Sequence, residues 1–129
     1  MAQSAFSVFL QRLREARRLS LREFARLADV DHAYVHRLET GEKESPSEEV
    51  LSKLVRALKA PKRDAEILRY LATNSAAQVG LAEYALEDST VTPDELATAA
   101  TVAYRGSVRR DYKTIIERVR RILGEQDDG

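Results

Sequence analysis

Apolar residues along this chain recur at three- and four-residue spacing and nowhere alternate strictly with polar ones, so the sequence reads as all-α. Phe6, Phe9, Leu10, Leu13 and Ala16 line one face of a first helix. Ser20 stands where an N-cap belongs and Glu23 follows three residues later. Hydroxyl and carboxylate can then satisfy backbone donors reciprocally, which predicts a second helix over Leu21–Ala28. Asp31 caps a short third helix, His32–Thr40, in which Val35 and Leu38 point inward and Gly41 supplies the stop. Ser47 caps a fourth, with Val50, Leu51, Leu54 and Leu58 on one face and Glu48 and Glu49 at its electropositive start; Pro61 ends it. A fifth helix over about Lys62–Thr73 buries Ala65, Leu68, Leu71 and Ala72.

Hydrophobicity falls at Asn74 and Ser75, which divides the chain into residues 1–74 and a small helical domain, residues 75–129. Residues 76–87 read as helix, with Gly80 costing about 1 kcal/mol relative to alanine. Thr92, Pro93, Asp94 and Glu95 combine a capping hydroxyl, a first-turn proline and first-turn acids, and a helix over 96–104 follows. Gly106 breaks it. Ser107 then caps a final helix whose Val108, Tyr112, Ile115, Ile116, Val119, Ile122 and Leu123 form a wide apolar stripe; the acidic tail from Gly124 reads as frayed. Either a second copy of the chain covers that stripe, making Tyr112, Ile115, Ile116, Val119, Ile122 and Leu123 a dimerisation face, or the stripe completes the chain's own core.

Composition narrows the function. With 43% hydrophobic and 33% charged residues in 129, the chain can fold as one domain or two small ones but cannot build a large enzyme core. The absence of cysteine removes disulfides and thiolate zinc sites. No apolar run approaches the roughly 20 residues of a membrane span, and residues 1–9 lack the marks of a signal peptide, so a cytoplasmic protein is expected. There is no glycine-rich phosphate loop and no cysteine nucleophile, and both histidines fall in the third helix; neither enzymatic activity nor a cofactor is expected. His32 and His36 stand four residues apart, yet there is no HExxH pattern and no third ligand at convincing spacing, so no metal site is expected either. The net charge is zero, but residues 1–70 carry +3 and residues 71–129 carry −3. The first half is the more basic.

Residues 19–41, LSLREFARLADVDHAYVHRLETG, resemble the XRE family of Cro-type helix-turn-helix regulators. The resemblance rests on Leu19, Ser20, Glu23, Phe24, Ala25, Val30, Tyr34, Val35, Arg37, Leu38, Glu39 and Gly41. It implies a five-helix lambda-repressor-like DNA-binding domain in which the second helix crosses the DNA backbone and the third lies in the major groove. Asp31, His32, Ala33, His36 and Arg37 would then face base edges, and Ser20, Arg22 and Tyr34 would lie near phosphates. Arg37 is the foremost base reader, since a guanidinium can bond guanine O6 and N7 together for about 1–3 kcal/mol of discrimination. Arg14 and Glu39 occupy positions that form a salt bridge in the family. The chain departs from the pattern at Leu21, where the family often has a phosphate-binding glutamine. Glu42, Glu44, Glu48 and Glu49 also leave Lys43 nearly alone as a cation in the following loop. Weak binding per monomer is the consequence, offset in a dimer that engages half-sites about 10 base pairs apart.

The second half, VTPDELATAATVAYRGSVRRDYKTIIERVRRIL, resembles DdrO-type damage-response repressors at Thr92, Pro93, Asp94, Arg105, Gly106, Arg121, Ile122 and Leu123. That resemblance implies dimerisation through this half and inactivation by a metalloprotease cutting near Tyr104 and Arg105, although the family prefers leucine where Tyr104 stands. The expectation is a dimeric repressor of a palindromic operator on double-stranded DNA. The rival is a protein-interaction module or antitoxin, with a toxin partner, that keeps the helix-turn-helix fold with little operator binding.

Overall fold

A computed structural model describes residues 3–43, 46–105 and 111–127, and among the described residues it holds eight α-helices and no strand. They are α1 (Ala5–Ala16), α2 (Leu21–Ala28), α3 (His32–Thr40), α4 (Glu48–Leu58), α5 (Lys62–Thr73), α6 (Val79–Glu87), α7 (Pro93–Arg105) and α8 (Tyr112–Asp127). The first five match the helices that the apolar spacing predicts.

The N-terminal ends follow from side-chain chemistry. Ser20 Oγ accepts from the Glu23 N–H at 3.1 Å while Glu23 Oε1 accepts from the Ser20 N–H at 3.1 Å. Thr92 and Glu95 repeat the arrangement at α7, and Ser4 and Ser7 close a similar box at α1. Asp31 and Ser47 cap α3 and α4. The C-terminal ends use an unexpected device. α1, α2 and α4 turn off through Arg18, Asp29 and Lys59, each with positive φ near 50–57°. In each, the following N–H reaches back five residues: Leu19 to Arg14, Val30 to Ala25, and Ala60 to Val55. These are Schellman ends built without glycine.

Several boundaries in the second half differ from expectation: α6 starts at Val79, three residues after 76, and α7 already at Pro93, three residues before 96. α8 begins at Tyr112, and its cap is Asp111, whose Oδ1 accepts from the Thr114 N–H at 3.2 Å. The break expected at Gly106, the cap expected at Ser107 and the apolar Val108 lie outside the described residues. α8 also continues through Gly124 to Asp127, so the acidic tail is helical that far. A Cβ at Gly124 would meet nothing within 4 Å, and glycine there costs only its backbone entropy.

Six consecutive residues of α1, Ala5 to Leu10, are buried, so the first half of this helix is enclosed on every side. α3 and α5 pack on it from the first half and α6 lies along it from the second, while α5 also meets α7, and α8 rests on α6 and α7. The core is continuous across residue 74: Leu81, Ala82, Ala85, Val91, Leu96, Ile116 and Val119 belong to the same cluster as Phe9, Leu10, Leu38, Leu54 and Leu68.

Polar fastenings reinforce this packing. Arg63 of α5 donates to the carbonyls of Ala85 at 2.7 Å, Asp88 at 3.0 Å and Val91 at 2.8 Å, and so satisfies acceptors at and beyond the end of α6. Arg120 of α8 donates to Glu95 Oε2 at 3.1 Å and Thr90 Oγ1 at 3.0 Å. The Tyr112 hydroxyl donates to Gln78 Oε1 at 2.6 Å, and its ring covers Gly80, where a Cβ would come within 2.6 Å of Tyr112 Cε2. The α6 glycine is therefore a seat for the first residue of α8.

Candidate nucleic-acid interface

The α2 to α3 connection is a three-residue turn, Asp29, Val30 and Asp31, between helices held by fully buried contacts. Phe24, Ala25 and Ala28 of α2 and Val35 and Leu38 of α3 are at most 3% exposed. Ala25 is small where the helices meet, and a larger side chain would push them apart. Asp29 takes the left-handed turn at φ 57°, a region open to aspartate at some cost.

The inner side of α3 is fastened to α1 by charge. Arg14 Nε donates to Glu39 Oε2 at 2.7 Å and Arg14 Nη2 to Glu39 Oε1 at 2.9 Å, a bidentate pair, while Arg14 Nη1 donates to the Leu19 carbonyl at 2.9 Å. Glu39 is 4% exposed, and the carboxylate raises the Arg14 pKa above its ordinary value. Two hydrogen bonds and a full charge thus set the rotation of α3 about its own axis.

The outer side of α3 is left open. Asp31, His32, Ala33, His36 and Arg37 are all exposed. Positions 32, 33, 36 and 37 recur at helical spacing, so their side chains share one face. Asp31 differs in role, because its Oδ2 accepts from the Tyr34 N–H at 3.2 Å and thereby caps the helix. Ser20 and Arg22 are exposed at the start of α2, and Lys43 is exposed beyond Gly41. The Ser20 hydroxyl oxygen is occupied in the capping box, which leaves its hydrogen to donate outward. Tyr34 is half-buried and packs against the core, so its ring props α3. Leu21 is half-buried and its side chain has no donor to offer.

The acid-rich loop is less uniformly repulsive than its composition suggests. Glu48, Glu42 and Glu49 are all exposed, but Glu48 pairs with Arg69 of α5 and accepts from the Ser52 hydroxyl; Glu44 lies outside the described residues. Exposed Arg17, Arg18, Arg22 and Arg26 at the end of α1 and along α2 oppose them with positive charge. Among the described residues, no group of three or more His, Cys, Asp or Glu is placed to hold a metal ion, and no helix is long and apolar enough to cross a membrane.

The α8 stripe divides in two. Ile116 and Val119 are 1% and 0% exposed inside this chain, and Tyr112, Ile115 and Leu123 are half-buried against the same core. Ile122, 38% exposed, is the member that faces outward.

Sequence reasoning missed the surroundings of the last turn of α3. Gln3, Gln11, Arg14, Leu21, His36, Glu39 and Thr40 line an open groove of about 380 Å³ between α1, α2 and α3. Neither glutamine carries a periodicity or capping signal; only the packing of α1 on α3 brings them there.

Residues 5–68, from α1 through most of α5, match a family model described as a helix-turn-helix domain. A comparison with curated proteins returns no match.

Proposed function

We propose that this chain, whose residues 5–68 make a helix-turn-helix domain, is a cytoplasmic, non-enzymatic DNA-binding regulator of the XRE type that represses transcription as a dimer on a palindromic operator. The observation that carries this reading is the two-sided character of α3. Its inner side is locked by Val35, Leu38 and the Arg14 to Glu39 pair, while His32, Ala33, His36 and Arg37 are exposed on the outer side. A helix held that firmly, with donors and acceptors on its exposed face, is suited to direct readout in a major groove. The arginines of α1 and α2 supply the sequence-independent attraction to phosphate.

Selection of bound sequences from random duplex DNA by the purified protein tests it. The expected result is a two-fold symmetric site with half-sites about 10 base pairs apart. Arg37→Ala is expected to cost about 1–3 kcal/mol of discrimination at one base pair per half-site. Enrichment of no sequence at low salt overturns the reading and leaves a protein-interaction module, which Leu21 and the exposed Glu42 and Glu49 favour. The likeness of the second half to DdrO-type repressors adds a regulatory metalloprotease as a partner. α7 is helical through Arg105, so cutting near Tyr104 and Arg105 requires its last turn to open.

A further inference from the structure

The groove beside the last turn of α3 contains an amide that is held in place and only half used. Gln3 Nε2 donates to Gln11 Oε1 at 2.8 Å and to the Glu39 carbonyl at 2.9 Å, so both hydrogens of the Gln3 amide are engaged. Because Gln11 accepts through its oxygen, its Nε2 is turned the other way. Both Nε2 hydrogens are without a partner among the described residues, on a half-buried side chain lining the groove. Gln3 has a second effect. The Glu39 carbonyl is one of the four that end α3 without a helical partner, and a bare acceptor there repels an anion; the Gln3 amide covers it. Both oxygens of the Glu39 carboxylate are likewise engaged, by Arg14. The groove therefore offers the Gln11 donors, and the Glu39 acceptors that line it are occupied.

We infer that Gln11, oriented by Gln3, donates to a phosphate of the DNA backbone in this groove, so that α1 supplies the side-chain donor that Leu21 of α2 lacks. This rests on the regulator reading above. It follows from how a recognition helix enters a major groove. The N-terminal residues of such a helix meet the bases, so its last turn and the helix flanking it face the sugar-phosphate strand. His36 and Thr40 place the groove along that last turn. Amide donors there fix register and orientation and carry no sequence information.

The test is titration of the full-length protein with the duplex recovered by selection and with a short duplex of arbitrary sequence at low salt, over a salt series. Gln11→Ala is expected to weaken binding to both duplexes by a similar factor of about ten, the usual consequence of losing a hydrogen bond to a charged acceptor, with the ratio between them unchanged. Gln11→Lys is expected to restore affinity and to steepen the fall of log K with log salt by about 0.9 per protomer, a readout that a purely structural role leaves still. Gln3→Ala is expected to weaken both duplexes by a smaller factor with the unfolding midpoint nearly constant. Wild-type affinity in Gln11→Ala for both duplexes overturns the inference and leaves the regulator reading standing, as does a loss confined to the selected sequence. A wild-type protein that binds neither duplex overturns both.

Discussion

At the scale of single residues, Arg14 and Glu39 show how one ion pair can position a reading helix without reading anything. Their worth lies in what either becomes alone. Arg14→Ala strands a nearly inaccessible carboxylate, and the expected loss is about 3 kcal/mol in a urea unfolding titration, well beyond the effect of alanine at exposed Arg22. Carboxylates that accept at caps and turns make a second expectation. Glu23 is held below the usual carboxylate range by hydrogen bonds with Ser20, Asp88 by those with Thr90, and Asp111 by those with Thr114. A group whose pKa is lower when folded adds stability that is present above its unfolded value and disappears as pH falls through its folded value. The unfolding midpoint should therefore drop on acidification below about pH 4, and Asp111→Asn should flatten part of that slope. Much of this was legible: Ser20 with Glu23, and Asp31 ahead of a helix, are local signals, and Arg14 with Glu39 came from the family likeness. Gln3 and Gln11 were not, because their bonds depend on how α1 lies against α3.

Among elements, the chemistry of beginnings is plainer than that of ends, although α6 starts three residues later than expected. N-caps draw on a few residue types at fixed offsets, whereas Arg18, Asp29 and Lys59 occupy left-handed ends with none of the glycine that usually marks them. The start of α8 was misplaced for a related reason: Ser107 and Asp111 are both sound capping residues, and an apolar stripe that includes Val108 favours the earlier one. Gly80 looked like a weakness in α6 and is instead the floor under Tyr112. Gly80→Ala should accordingly lower stability by about 1–2 kcal/mol, the strain of overpacking outweighing the gain in helix propensity. Thermal unfolding measures the loss, and amide exchange should locate it in α8; unchanged protection there would argue against the seat.

Over the whole molecule, the all-helical class was readable because every apolar stripe keeps one period. The continuity of the core was not, since the polar stretch after Thr73 says nothing of how α6 returns to α1. Light scattering at tens of micromolar tests the proposed dimer. The expected mass is twice the 14.5 kDa of one chain, reduced toward one chain by Ile122→Glu at the exposed edge of α8; a single-chain mass for the wild type would remove α8 as a self-association face. One feature of α1 reaches furthest. The half of it that precedes Gln11 is wedged among three neighbours, and the half that follows grips α3, so its screw sense links the two. Adding a single amino acid at this midpoint would swing the guanidinium about 100° off its carboxylate while the wedge stayed put. Length changes that surface loops absorb freely should here disengage the reading helix from an otherwise folded protein.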